Sequence, residues 1–151
     1  MKPFRFFATL VCLVLFSSLT SFTPPSNNGI VQDVLFQTNK FRSSKGLPEL
    51  SMRKELNAIA QKHSEDMARG RVGFGHGGFD KRNAAAKGKI KSMRSFAENV
   101  AYGASNGKQA VTMWKNSRGH RKNMLGKFKY IGIGISKDRR GRIFYTQVFA
   151  G

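Results

Sequence analysis

Residues Tyr130-Ile131-Gly132-Ile133-Gly134-Ile135-Ser136 place isoleucine at every second position, with glycine or serine between. A period of two puts the isoleucines on one face of a β-strand and the glycines on the other. The isoleucine face packs inward. The glycine face carries no Cβ, so a helix or another backbone can lie directly against it. Asp138-Arg139-Arg140-Gly141 reads as a turn, and Arg142 to Ala150 as the partner strand of a β-hairpin.

The preceding segments read mostly as helices. Ile30, Val31, Val34, Leu35, Thr38 and Phe41 follow a three-four spacing, which predicts an amphipathic helix from about Gly29 to Ser44. Gly46 stops it and Pro48 prevents its return. Asn39 and Arg42 read as hydrogen-bonding residues on its surface. Ser51 is expected to cap a second helix, lined by Leu56, Ile59, Ala60, His63 and Met67 and ended by Gly70. Lys81 to Arg94 reads as a mobile or lightly helical basic connection. Ser95 to Gly103 fits either a strand or a loop. Lys108 to Asn116 predicts a third helix with Trp114 as a core anchor. Ser117-Arg118-Gly119 then reads as a turn and His120 to Leu125 as a short helix.

The chain has 151 residues, enough for one domain with its own core. Lys2 and Arg5, an apolar run from Phe6 to Phe16 and small residues after it have the order of a secretory signal peptide, expected over residues 1–24. An uncleaved anchor is the alternative. The domain then runs from about residue 27 to 151. Cys12 lies in the leader, so the exported domain has no disulfide and relies on packing. Export leaves it secreted, periplasmic or attached to the envelope. The net charge is +19, from 27 Lys+Arg against 8 Asp+Glu. Such a surface attracts anionic polymers and membrane surfaces. Export favours envelope polyanions over nucleic acid, for which there is no specific motif.

Motifs for a nucleophilic serine, a helical zinc protease or a nucleotide loop are absent. What remains is His76 in Gly73-Phe74-Gly75-His76-Gly77-Gly78-Phe79, Glu98 in Ala97-Glu98-Asn99, and His120. Two imidazoles and a carboxylate can form a zinc site with an open position. Each residue also has a structural reading. His76 is a cleft ligand or proton carrier, or a histidine that pins its turn. Glu98 is a ligand or general base, or an acceptor that holds the His76 loop. His120 buttresses its helix or binds a ligand. His63 reads as a satisfied core-edge histidine. Tyr145 and Gln147 share one face of the last strand and either reach the cleft or pack on the sheet.

Taken in order, Phe74-Gly75-His76, Ala97-Glu98-Asn99-Val100-Ala101, the run from Met113 to Leu125 and Tyr145-Thr146-Gln147-Val148-Phe149 resemble the CAP superfamily, or SCP domain. That superfamily includes cysteine-rich secretory proteins, venom allergens and plant pathogenesis-related proteins. The chain most resembles the bacterial secreted branch. Asn39-Lys40-Phe41-Arg42 and Gly46-Leu47-Pro48-Glu49-Leu50 extend the likeness upstream. The resemblance implies an α+β fold, an α-β-α sandwich with a small, mainly antiparallel sheet, and a cleft where His76 faces Glu98. Full family sites add a second histidine and a second glutamate, and the two histidines can hold a divalent metal such as Zn2+. Those positions are Phe144 and Ser117 here. His120, from the bacterial H-R-x-N motif, is the candidate replacement ligand beside His76.

Three functional readings follow. The first is a non-enzymatic binding module for an extracellular or envelope ligand, with a polar cleft of His76, Glu98, Asn99, His120, Tyr145 and Gln147 beside a basic surface. The second is a metal-assisted hydrolase of peptide or envelope polymer, with metal on His76 and His120 and Glu98 as the catalytic base. The third is a basic polyanion-binding envelope protein.

Overall fold

The computed structural model describes residues 26–151; the expected leader and Cys12 lie outside the described residues. The hairpin forms as its alternation dictates. Strand β3 (Tyr130–Lys137) pairs antiparallel with β4 (Ile143–Ala150), Ile133 opposite Gln147. Strand β2 (Phe96–Tyr102) joins the other edge of β4, also antiparallel, so Ser95 to Gly103 resolves as strand. A two-residue strand β1 (Ser51–Met52) pairs parallel with β3. The order is β1-β3-β4-β2, a mixed sheet that is mainly antiparallel.

Helix α2 (Lys54–Ala68) lies on the glycine face. A Cβ on Gly132 would collide with the Leu56 carbonyl group, and one on Gly134 with the Ala60–Gln61 peptide. Ser64 Oγ bonds the Gly134 carbonyl at 2.9 Å and Thr146 Oγ1 at 2.8 Å. Beyond the short β1, the outer edge of β3 is closed by side chains of α2. Ile133 N–H donates to Asn57 Oδ1, and Ile135 exchanges two bonds with the Gln61 amide. An open edge would invite another strand, and these bonds remove it.

The isoleucine face meets α1 (Asn27–Ser43) and α4 (Gly107–Asn116). Ile131, Ile133, Ile135, Tyr145 and Phe149 share one core with Val34, Val111 and Trp114. Trp114 is 1% exposed and its indole N–H donates to the Val100 carbonyl at 3.0 Å. Helices therefore cover both faces of the sheet, the expected α-β-α sandwich of an α+β fold.

Four local expectations are corrected or resolved. Ser51 does not cap α2, because its N–H donates to the Lys129 carbonyl within β1; Arg53 stands at the cap position without a side-chain bond. The basic connection contains an ordered helix, α3 (Phe79–Lys89), seated through buried Ala86 and Ile90. Asn39 and Arg42 are buried. Asn39 pairs with both backbone groups of Leu50. The Arg42 guanidinium donates to the carbonyls of Pro48, Met124 and Gly126 at 2.8–2.9 Å. Those bonds tie α1 to the end of α5 (Arg118–Met124), the helix that carries His120; the expected turn at Arg118-Gly119 already belongs to it.

Candidate functional site

The site is built where β2 meets the loop between α2 and α3. Neighbouring residues of β2 point to opposite faces. Glu98 points toward α2 and α3, and its side chain is fully enclosed. An enclosed carboxylate must be paired to stay charged, and Arg82 of α3 pairs with it. Arg82 Nε donates to Oε2 at 2.6 Å and Nη2 to Oε1 at 2.7 Å, a two-pronged contact. His76 Nδ1 donates to Oε1 at 2.9 Å. A carboxylate held by arginine acts as acceptor, so Nδ1 carries a proton, and in the neutral tautomer Nε2 of this half-exposed ring is the bare nitrogen.

Glycines make this reach possible. Gly75 and Gly78 adopt φ of 141° and 76°, the region that side chains other than glycine resist. Gly78 begins α3 in that conformation, and Phe79 N–H closes the turn on the His76 carbonyl. Arg82 Nη1 also donates to the Gly77 carbonyl at 2.8 Å. One guanidinium thus holds both the carboxylate and the loop that presents the imidazole.

His63 completes the clamp from α2. Buried to 3% exposure, its Nε2 bonds the Gly75 carbonyl at 2.9 Å and lies 3.9 Å from Glu98 Oε1. A carbonyl only accepts, so Nε2 bears the hydrogen. Burial pushes the His63 pKa below its ordinary value, and nearby Arg82 adds to this; the Gly75 bond and the charge of Glu98 pull the other way. The folded chain thus keeps His63 neutral where the unfolded chain begins to protonate it, near the ordinary 6.5. This stabilisation is complete above that pH and falls away as pH drops toward the lower folded value. Acidifying from neutrality is expected to lower the denaturant midpoint, and His63→Gln is expected to reduce that dependence. Parallel unfolding curves of the two proteins across this range check it.

His120 sits beside His76, ring centroids 6.2 Å apart. Burial, then the adjacent His76, lower its pKa. Asn99, next to Glu98 on β2, points the other way. Its Nδ2 donates to the His120 carbonyl and to Gln147 Oε1, both at 3.2 Å, and Asn123 Nδ2 donates to its Oδ1 at 3.0 Å. Gln147 continues to Thr38, while Tyr145 donates its hydroxyl to the Ala104 carbonyl. Both are fully buried against the α1–α4 layer. Of the six expected cleft residues, His76, Glu98 and His120 come together. Asn99 and Gln147 belong to a buried hydrogen-bonded network on the other face of β2 and β4, and Tyr145 is buried on that face with its own bond to Ala104.

A groove of about 830 Å³ opens beside the group, between α2 and α3. Ile59, Val72 and Ala85 line it, with His63 and Arg82 among its walls and Lys81 and Lys89 among its lining residues. Nothing in the local sequence marks it, because its two walls come from separate helices.

The family profile described as CAP, the cysteine-rich secretory protein family, matches residues 35–149. The chain belongs to the CAP family. YkwD, an uncharacterized protein of Bacillus subtilis (strain 168), is 31% identical over 143 residues, covering 89% of this chain and 52% of its own length. The uncharacterized membrane protein YlbC of the same organism is 33% identical over 122 residues, covering 78% and 33%. The chain therefore spans between a third and a half of these relatives. An extracellular SCP-domain protein from Bacillus anthracis superposes with a TM-score of 0.70 at 34% identity, covering 82% of this chain and 40% of that one. An outer surface protein of Borrelia burgdorferi, at 16% identity and a TM-score of 0.69, shares the fold; 83% of this chain and 95% of that one are covered.

CAP membership raises the question of a metal. A zinc site takes four ligands, at least three of them from the protein in catalytic sites. His76 Nε2 and the His120 ring supply two. Glu98 is committed to a guanidinium whose charge repels a cation. Phe144 is packed with Met67 and Val100, and Ser117 joins α4 to α5. Among the described residues no group of three histidine, cysteine, aspartate or glutamate side chains is arranged to hold a metal. The donor set does not fit zinc.

Two residues of the site escape sequence reasoning. Arg82 is one cation in a basic run, and His63 is one residue on an apolar helix face. The available signal was chemical: a buried glutamate requires a counter-charge.

Proposed function

We propose that this CAP domain, exported from about residue 27 onward, is a non-enzymatic binding module. Its ligand would occupy the α2–α3 groove, which His63, Gly77, Gly78 and Arg82 line beside the loop that carries His76. The carrying observation is the state of Glu98. A general base must reach a substrate or a water through a free lone pair. Glu98 has no exposed side-chain surface and accepts three charge-assisted bonds from Arg82 and His76. Its role is to orient His76 and to anchor α3. The groove supports the same reading, since 830 Å³ falls in the range of small-molecule sites. The extracellular relative agrees with export.

The rival hydrolase reading is tested directly. The purified protein, incubated with casein or peptidoglycan with and without equimolar zinc, is expected to show no turnover above the buffer rate. Turnover that disappears in Glu98→Gln would replace binding with catalysis.

A further inference from the structure

A second concavity, of about 780 Å³, lies between the end of α2 and the turn of the β3–β4 hairpin. Arg69, Lys137, Arg139, Arg140 and Arg142 line it, against the single carboxylate of Asp138. That carboxylate is spent. Its Oδ2 accepts from Arg142 Nε at 2.7 Å, and its Oδ1 accepts the backbone N–H groups of Arg140 and Arg142. Arg69, Lys137, Arg139 and Arg140 have no acidic partner among the described residues.

Beside this pocket stand two aromatic rings that the fold leaves in solvent. Phe74 is 50% exposed and Tyr102 45%. They meet edge to face at 4.7 Å and 66°, and Phe144 stacks behind Tyr102 at 5.8 Å. Phe144 links the aromatic corner to the cationic pocket. Phe144 belongs to a small cluster that Ala68 packs against, and Ala68 also lines the pocket. In the hairpin register Phe144 faces Ser136, one position from Lys137.

We propose that this surface binds an anionic polysaccharide. Sugar rings would rest in the Phe74–Tyr102 corner, and phosphate or carboxylate groups would enter the pocket, where arginine forks match either anion. The two surfaces suit a chain that alternates C–H-rich rings with charge. Bases of a single-stranded nucleic acid stack on successive flat faces, whereas rings set at 66° form a corner suited to a puckered sugar. This goes beyond the reading of the α2–α3 groove, whose lining shares no residue with this pocket.

The test is titration of the full-length chain with polygalacturonate, phosphomannan, neutral dextran and oligo(dT) over a salt series. One or both anionic polysaccharides are expected to bind, with affinity falling as salt rises, and their ranking names the preferred anion. Dextran is expected not to bind. Arg139→Glu/Arg140→Glu should weaken binding at least about tenfold and flatten the salt dependence. Phe74→Ala should weaken it about fivefold and leave that dependence unchanged. These positions are exposed, and circular dichroism confirms folding. Unchanged affinity in the double reversal, or a preference for oligo(dT) over both polymers, overturns the proposal. So does a His76→Ala loss as large as the arginine loss, which would move the ligand to the His76–Glu98 site.

Discussion

Arg82→Ala is expected to destabilise the fold by about 3–5 kcal/mol, the range seen when one member of a buried ion pair is deleted. The Glu98 side chain has no exposed surface and the Arg82 side chain is 12% exposed. Without the guanidinium, the carboxylate is left uncompensated beside buried His63. The loop also loses its bond from Arg82 to the Gly77 carbonyl. The double substitution Arg82→Met/Glu98→Leu should recover most of the loss, because a matched apolar pair removes both desolvation penalties. It should still release His76, whose Nδ1 then has no acceptor. Denaturant unfolding of the parent, both single variants and the double variant makes the comparison. A single-variant loss within about 0.5 kcal/mol, as for an ordinary surface residue, would mean that the pair does not hold the site.

Gly134→Ala is expected to destabilise by at least about 3 kcal/mol, the upper end for overpacking. The new Cβ would enter the Ala60–Gln61 peptide of α2. Neither partner is a flexible side chain, so no rotamer change relieves the clash. α2 has to lift from the sheet, which breaks the Ser64 bonds to Gly134 and Thr146 and carries His63 away from Gly75. Gly132→Ala meets the Leu56 carbonyl in the same way. The predicted signature is a lowered midpoint together with loss of the His63–Gly75 contact by NMR. Unfolding unchanged from the parent would show that α2 does not lie where the glycine face places it.

The parts of the fold that depend on local periodicity were legible. The Ile131–Ile135 alternation specified a strand, its two faces and a close neighbour, and the spacing from Ile30 to Phe41 specified α1. Errors arose where the deciding contact lies far along the chain. Ser51 has the chemistry of a helix cap, but Lys129 claims its backbone. For Lys81 to Arg94 the lysines and arginines left a mobile and a lightly helical connection both open. Helix-favouring Ala84-Ala85-Ala86 and the burial of Ala86 and Ile90 decide for the helix. Tyr145 and Gln147 were correctly placed on one face of β4, yet a period of two does not say which face the histidine loop covers. The meeting of His76 with Glu98 came from family resemblance, since a separation of 22 residues has no geometric meaning of its own. Arg82 resembles every other cation in its run until β2 and α3 bring it to the carboxylate.

The direct test of that carboxylate's role is the tautomer of His76. A two-bond 1H–15N spectrum, recorded at a pH where the histidines are neutral, reads it ring by ring. Donation to Glu98 predicts a proton on Nδ1 and a bare Nε2. A proton on Nε2 with Nδ1 bare would contradict the account, because Glu98 would no longer be fully engaged by His76 and Arg82.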